Sequence, residues 1–390
     1  MTEQYDVVVV GGGIHGVGVA QAAACDGYSV MLLEQEGLAS GTSSRSSKLI
    51  HGGLRYLEGY DFGLVRESLT ERKILLQIAP DLVRLQPFHI PIYPDTSRRP
   101  LILRAGLSLY ALLGGLRAAS RFSTLPRQQW DTLDGLDTHN LQAVFRYFDA
   151  QTNDASLTRT VMQSALDHGA VLNCPAEFTA AQVTNAGCAI NYRESGIEKQ
   201  CEAKVIINAA GPWATAIDAL ISPQPAPVAV DLVQGAHLVL QESVEQGCYY
   251  MEAPRDRRAI FLLPWGENSM LGTTEHGYSG NPRNVVALEE EENYLLEVLH
   301  HYFPQHPATI IDRFAGLRVL PAARDDAFKR SRETRLPVDN KERPRVLSIY
   351  GGKLTGYRAT AQKVMHKIQR ALPERKVIAR TDELMLKPVD

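Results

Sequence analysis

Cysteine is sparse in this chain, with five in 390 residues, and none of Cys25, Cys174, Cys188, Cys201 and Cys248 stands in a Cys-x-x-Cys pair. That scatter excludes the usual zinc and iron–sulfur frameworks, so no metal is expected. An odd count fits a reducing cytosol better than a disulfide scaffold. No uninterrupted apolar stretch reaches the roughly 20 residues that cross a bilayer. The N-terminus has no basic segment followed by an apolar one, as a secretory signal would. A cytoplasmic location is therefore expected. Neither sign of charge dominates: 41 Lys and Arg against 44 Asp and Glu leave −3, which offers nucleic acid no footing. Internal repeats and low-complexity tracts are also missing.

What remains is the composition of an ordinary globular enzyme, 44% apolar and 22% charged, with length enough for two domains. The apolar run Tyr5–Val10 reads as a buried strand, Ile14–Cys25 as a helix ended by Asp26-Gly27, and Ser29–Leu33 as a second strand. Together they form a β-α-β unit. Helices are expected over Leu64–Gln77, Asn153–His168, Glu289–Tyr302 and Thr355–Leu372. Ala170–Leu172, Lys204–Asn208 and Arg345–Tyr350 read as strands of the first sheet. Val228–Leu240, Ala259–Pro264 and Ser269–Thr274 alternate like strands of a second, more antiparallel one. Pro80–Pro100 reads as irregular. The segment Pro100–Phe122 carries leucines flanked by Arg98, Arg99, Arg104, Arg117 and Arg121. It fits either a core-packing helix with basic ends or a helix lying on a membrane surface.

Three stretches carry chemistry. Gly11-x-Gly13-x-x-Gly16 supplies the tight turn, close backbone approach and helix–strand contact of a pyrophosphate loop. Glu34 ends the second strand at the distance expected of an acid accepting from ribose hydroxyls, and it would repel the extra phosphate of NADP. The stretch from Gly41 to Tyr56 follows, with Thr42, Ser43, Ser44, Ser47, Lys48, Leu49, His51, Gly52, Gly53, Arg55 and Tyr56, and has no acid before Glu58. Its hydroxyls, amides and Lys48 suit phosphate and ribityl oxygens, and Gly52-Gly53 lets backbone approach a flat ring. A flexible surface loop has the same composition. Asn208-Ala209-Ala210-Gly211-Pro212-Trp213 ends a strand with small residues that let a cofactor pass, as an ordinary turn also would. Gly351-Gly352-Lys353-Leu354-Thr355-Gly356-Tyr357-Arg358 is a glycine turn opening a helix. A dinucleotide fold that uses both ends of its chain suits FAD better than NAD.

The run Ser46–Glu58, the Asn208–Trp213 turn, Gly272-Thr273-Thr274 and Gly351–Arg358 together resemble the FAD-dependent glycerol-3-phosphate dehydrogenase/oxidase family, in order along nearly the whole chain. The resemblance implies a glutathione-reductase-like flavoprotein of the D-amino-acid-oxidase type. Its α/β architecture would be a Rossmann-like FAD-binding domain of discontinuous segments (1–75, 145–225 and 310–390) with an antiparallel-sheet substrate domain (76–144 and 226–309). It implies that FAD contacts Gly11, Gly13, Gly16, Glu34, Thr42, Ser43, Ser44, Ser47, Lys48, Leu49, His51, Gly52, Gly53, Ala209, Gly211, Trp213, Gly352, Leu354 and Thr355. Arg55, Tyr56, Arg332 and Lys353 would bind substrate. His237, in Gly235-Ala236-His237, matches a candidate base, and Arg318 an arginine beside the reacting carbon. The family pattern Gly-Val-Arg-Pro-Leu becomes Gly316-Leu317-Arg318-Val319-Leu320 here.

The implied reaction is oxidation of sn-glycerol 3-phosphate to dihydroxyacetone phosphate, with hydride to flavin N5 and electrons on to a quinone. The implied partners are thus a small phosphorylated polyol, a quinone-type acceptor and a membrane surface at the inner face. Self-association into a homo-oligomer stays open. Many members of the family carry a further helical domain and anaerobic members a Cys-rich extension; both are expected to be lacking here. Two alternatives stay open: an FAD oxidoreductase for another hydroxy acid or amino acid, and a flavin-binding partner subunit without activity alone.

Overall fold

The computed structural model describes residues 2–57, 59–322 and 334–389. The first sheet grows from the strand Glu3–Val10, whose Val7 to Val10 are buried. A strand covered on both faces is apolar throughout rather than alternating. It pairs in parallel with Val30–Leu33 on one side and Ile197–Asn208 on the other. Val171–Asn173 and Val346–Ser348 extend the parallel part on either flank. An antiparallel hairpin, Ala176–Val183 and Cys188–Glu194, is joined to the outer half of Ile197–Asn208.

The helix Ile14–Cys25 packs against Asp154–Asp167 and Tyr357–Ile368. Its small residues permit the approach: a Cβ on Gly18 would lie 2.8 Å from the Tyr357 ring. Asn153 caps the second of these helices, its side chain accepting from the Ser156 N–H at 3.1 Å. The closing helix, expected over Thr355–Leu372, is α-helical over Tyr357–Ile368 and tightens to a 3-10 turn at Gln369–Ala371.

The second sheet is antiparallel over most of its ten strands. Val230–Leu240 pairs with Ile310–Pro321 along its whole length and with Asn268–Gly272, which continues to Ala259–Trp265 and Cys248–Glu252. The helix Glu289–Tyr302 buries Leu295, Val298, Leu299 and Tyr302 in the core beside this sheet. Four glutamates in its first turn oppose the positive end of its dipole. Ala143–Thr152 and Ile310–Pro321 both belong to the second sheet. Sheet membership therefore changes inside the segments 145–225 and 310–390.

One expectation fails outright. Within the proline-rich segment 80–100, Val83–Ile92 is a ten-residue strand, paired with Ala143–Thr152 in register throughout. On its other side it pairs only at Phe88 and His89, with Cys248 and Tyr249. Much of that side is edge, where the missing N–H of Pro87 and Pro91 costs little. The helix Pro100–Leu113 answers both readings of its sequence. Leu103, Leu107, Tyr110 and Ala111 are buried, while Leu101 and Ile102 are 81% and 63% exposed and Leu112 is 60% exposed. No helix among the described residues is long and apolar enough to cross a membrane.

Candidate active site

The parallel strands of the first sheet end together, and their carboxyl ends open into a cavity of about 520 Å³. A ligand in an open parallel sheet belongs there, where successive loops diverge. Backbone bonds hold the convergence: Gly11 N–H donates to Leu33 O at 2.9 Å, Ala209 N–H to Val10 O at 2.9 Å, and Ile349 N–H to Asn208 O at 2.8 Å. Buried Asp218 locks two strand ends together, that of Ile197–Asn208 and that of Val346–Ser348. It accepts from Asn208 Nδ2 at 2.7 Å, Ser348 Oγ at 2.7 Å and Tyr350 Oη at 2.6 Å. The opposite wall comes from the second sheet. There Thr42 Oγ1 donates to Leu317 O at 2.8 Å, tying the serine-rich loop to the strand Ile310–Pro321.

At one end the glycine loop has the shape a pyrophosphate needs. Gly11 has φ +108°, and a Cβ on Gly16 would lie 1.9 Å from Gly11 O. Gly16 does not line the cavity; its role is the close helix–strand contact. Ser43 Oγ accepts the Ile14 N–H at 2.8 Å, at the start of the helix. Glu34 faces the cavity with its carboxylate fixed by backbone donors: Gly12 N–H at 2.6 Å, Glu36 N–H at 2.8 Å and Gly37 N–H at 3.3 Å. A carboxylate has lone pairs left for ribose hydroxyls after accepting these three.

The turn Gly351–Thr355, whose Gly352 lies against His15 of the glycine loop, also meets the loop 51–56. Thr355 Oγ1 accepts the His51 N–H at 3.1 Å. Lys353 Nζ lies 3.7 Å from the centroid of the Tyr56 ring, a cation–π contact. His237 stacks on Phe314 at 4.9 Å and pairs through Nε2 with Ser47 Oγ at 2.9 Å. Burial, then the charges of Arg318 and Lys48, push its pKa down to about 3, so the ring is neutral at physiological pH. Arg318 donates from Nη1 to Glu275 Oε1 at 2.7 Å and from Nη2 to Thr273 Oγ1 at 3.2 Å.

Most of the residues expected from the sequence therefore line one cavity, including Tyr56, His237, Arg318 and Lys353. Several depart from expectation. Lys48 does not line the cavity; its Nζ is buried against Asp154 Oδ1 at 2.6 Å and also donates to Ser44 O. An ammonium shielded from water needs such a partner, and Asp154 supplies it from the neighbouring helix. Ser44 Oγ turns back to Gly41 O at 3.2 Å. Gly52 points its N–H at Asp149 Oδ1, 3.1 Å away, rather than into the cavity. Arg55 lies in the turn Leu54–Leu57. Arg332 falls outside the described residues, as does Glu58. Arg358, the cation ending the glycine turn, grips Glu71 with Nε at 2.9 Å and Nη2 at 2.5 Å, both residues buried.

Cavity residues that were missed include His15, Asp149, Arg258, Glu275 and Arg283. His15 lies inside the glycine motif, and Glu275 directly follows Gly272-Thr273-Thr274, so both were within reach of the sequence. Asp149, Arg258 and Arg283 come from unrelated strands and loops and carry no local signal. Asp149 also anchors the loop above it. It accepts from Arg72 Nη1 and, at 2.9 Å, from Tyr110 Oη, as well as from Gly52. Burial raises its pKa and Arg72 counters that rise. Breaking a buried pair by removing one partner costs about 3–5 kcal/mol. Arg72→Met should therefore lower the thermal midpoint by about 5 °C, and Arg72→Met with Asp149→Leu should recover part of the loss. Circular-dichroism melts of the two variants check this.

Comparison with known proteins agrees with this geometry. The model of the FAD dependent oxidoreductase family matches residues 6–358. A glycerol-3-phosphate dehydrogenase of Pseudomonas aeruginosa is 38% identical over 378 residues, 95% of this chain and 72% of its own. A D-erythritol 1-phosphate dehydrogenase of Brucella abortus is 34% identical over 379 residues, 95% of this chain and 75% of its own. Among solved structures, a glycerol-3-phosphate dehydrogenase from Bacillus halodurans complexed with FAD aligns with a TM-score of 0.74 at 25% identity. That alignment covers 93% of this chain and 64% of the other, so the chain spans less than two thirds of that structure's length.

Proposed function

The chain belongs to the FAD-dependent oxidoreductase family, and from that premise we propose that it oxidises sn-glycerol 3-phosphate to dihydroxyacetone phosphate. The observation that carries the reading is that Tyr56, His237, Arg318 and Lys353 line the same cavity as a pyrophosphate loop. The residues present fit FAD. The glycine loop admits its pyrophosphate, Glu34 offers lone pairs to ribose, and the turn Gly351–Thr355 backs the end beside His237. When bound, flavin supplies a two-electron acceptor that takes hydride at N5.

The chain's own residues do the rest. Arg318 and Lys353 attract the phosphate dianion, and a guanidinium offers it paired donors. Arg332 is a further phosphate ligand in this reading. Arg318 also stabilises alkoxide charge as the hydroxyl proton leaves. His237, uncharged, receives that proton. Burial first and the nearby cations second make it a weak base before substrate binds, and the substrate's dianion offsets the cations. Tyr56 packs beside Lys353 and covers the site from the loop side.

The test is anaerobic mixing with sn-glycerol 3-phosphate while visible flavin absorbance is followed. Rapid bleaching, absent with glycerol and with the opposite enantiomer, is the expected result; an unbleached, FAD-loaded protein sinks the reading. The Brucella relative motivates one second reading, a four-carbon polyol phosphate. Bleaching by D-erythritol 1-phosphate faster than by the glycerol ester would select it.

Electrons pass on to a quinone in this reading, and the surface of the helix Pro100–Leu113 suits an approach to lipid. Leu101, Ile102, Leu112 and Leu116 are exposed beside Arg99, Arg104, Arg117 and Arg121, with Tyr60 just before and Phe62 at the start of the neighbouring helix Phe62–Ile78. Apolar side chains entering the acyl boundary contribute about 1.5–3 kcal/mol each if fully buried, and cationic neighbours add attraction to anionic headgroups. The protein should pellet with anionic vesicles and remain in the supernatant after Leu101→Glu with Ile102→Glu. No pelleting of the wild type would remove the membrane from the proposal.

A further inference from the structure

His15 is the second residue of the helix Ile14–Cys25 and sits between two glycines of the pyrophosphate loop, Gly13 and Gly16. Its ring spans the gap to the other end of the chain. Gly352 has φ +113°, and a Cβ there would lie 2.1 Å from His15 Nε2. The imidazole thus presses on the backbone of the turn Gly351–Thr355, in the space a side chain at 352 would take. It also lines the cavity between the two glycine segments.

The two ring nitrogens are not equivalent. Nδ1 is buried and has no hydrogen-bond partner among the described residues. A proton there would be a buried donor with nothing to accept it, which is costlier than a bare lone pair turned to apolar surroundings. The ring is neutral, because burial lowers its pKa to about 4. Its single proton therefore belongs on Nε2, the nitrogen against Gly352. The structure places an oriented N–H donor beside the N-terminus of a helix, where anions are favoured.

We propose that His15 is a cofactor-holding residue, donating from Nε2 to an anionic oxygen in the pyrophosphate–ribityl part of FAD. It joins the N-terminal loop and the C-terminal turn to the same stretch of the cofactor. The inference rests on FAD as the cofactor and not on the choice of substrate. Nε2 then gains an acceptor from the cofactor, while Nδ1 stays a buried nitrogen without a partner among the described residues, at a cost to the stability of the polypeptide.

That cost makes the test decisive. Holoenzyme is diluted and FAD release is followed by the recovery of flavin fluorescence, for the wild type, His15→Leu and His15→Gln. The Gln side-chain amide reaches about as far as Nε2 and restores a donor there. Loss of a hydrogen bond to a charged group should make His15→Leu release FAD at least about tenfold faster, with His15→Gln within about twofold of the wild type. The thermal midpoint of the FAD-stripped full chain should not fall in His15→Leu, since a buried unsatisfied nitrogen is gone. Release from His15→Leu at the wild-type rate overturns the proposal. So does equally fast release from both variants with a lowered midpoint, which would make His15 a packing residue. A wild type that holds no FAD would instead sink the cofactor reading itself.

Discussion

Arg318→Leu should lower kcat/KM for sn-glycerol 3-phosphate by about a thousandfold or more, with the loss in both kcat and KM. Two effects combine. The guanidinium stabilises charge on the reacting oxygen, and removing one such donor typically costs about 10²–10³ in turnover. Its removal also strips a partner from Glu275, whose Oε1 it holds at 2.7 Å and whose side chain is 4% exposed. An acid left in the site then repels the phosphate. The double variant Arg318→Leu with Glu275→Gln should therefore recover part of KM but little of kcat. Steady-state kinetics with an artificial acceptor separate the two. Equal recovery of both would mean that Arg318 only neutralises Glu275 and has no part in the chemical step.

Gly16→Ala should yield a folded protein without yellow colour. The new methyl would lie 1.9 Å from Gly11 O, which is backbone and cannot rotate aside like a side chain. Either the helix Ile14–Cys25 moves away from the strand Glu3–Val10 or the glycine loop changes shape. Overpacking of this kind costs about 1–3 kcal/mol, and more where backbone is the obstacle. Both outcomes displace the N–H groups that meet the pyrophosphate. FAD content per chain, from the ratio of visible to protein absorbance, is expected to fall to a small fraction of the wild type. Gly18→Ala provides the contrast. Its Cβ would meet the Tyr357 ring at 2.8 Å, a side chain with some freedom to shift, so cofactor loss should be far smaller.

The local signals in this chain were strong because they rest on local physics. The β-α-β unit could be read from Tyr5 to Glu34 because a strand buried on both faces is continuously apolar and a loop meeting phosphate must be glycine. The helix Glu289–Tyr302 announced itself by four acids and helical periodicity. The strand Val83–Ile92 was illegible for the opposite reason. Pro87 and Pro91 argue against a strand unless one knows that part of its flank is unpaired, and pairing is a property of the sheet. Lys48 failed similarly. A lysine in a serine-rich loop looks like a phosphate ligand until Asp154, 106 positions later, is found beside it.

The sequence by itself determined the chemistry available: glycine segments at both ends, an acid closing the second strand, and His237, Arg318 and Lys353 as candidate acid–base and phosphate groups. The glycines and the acid follow from residue type and spacing; the roles of His237, Arg318 and Lys353 rest on the family resemblance. Only the tertiary structure decided which charges face the cavity and which pair with one another. Lys48 and Arg358 are spent on Asp154 and Glu71, whereas Arg318 and Lys353 border the cavity. An ionic group shielded from water must find a partner, and whether the pair lies in the core, as Lys48–Asp154 does, or at the cavity wall, as Arg318–Glu275 does, is set by elements far apart in the chain. His15 carries the same lesson. In the sequence it is one letter in a glycine motif; in the fold it lies against Gly352, and its Nδ1 has no partner among the described residues.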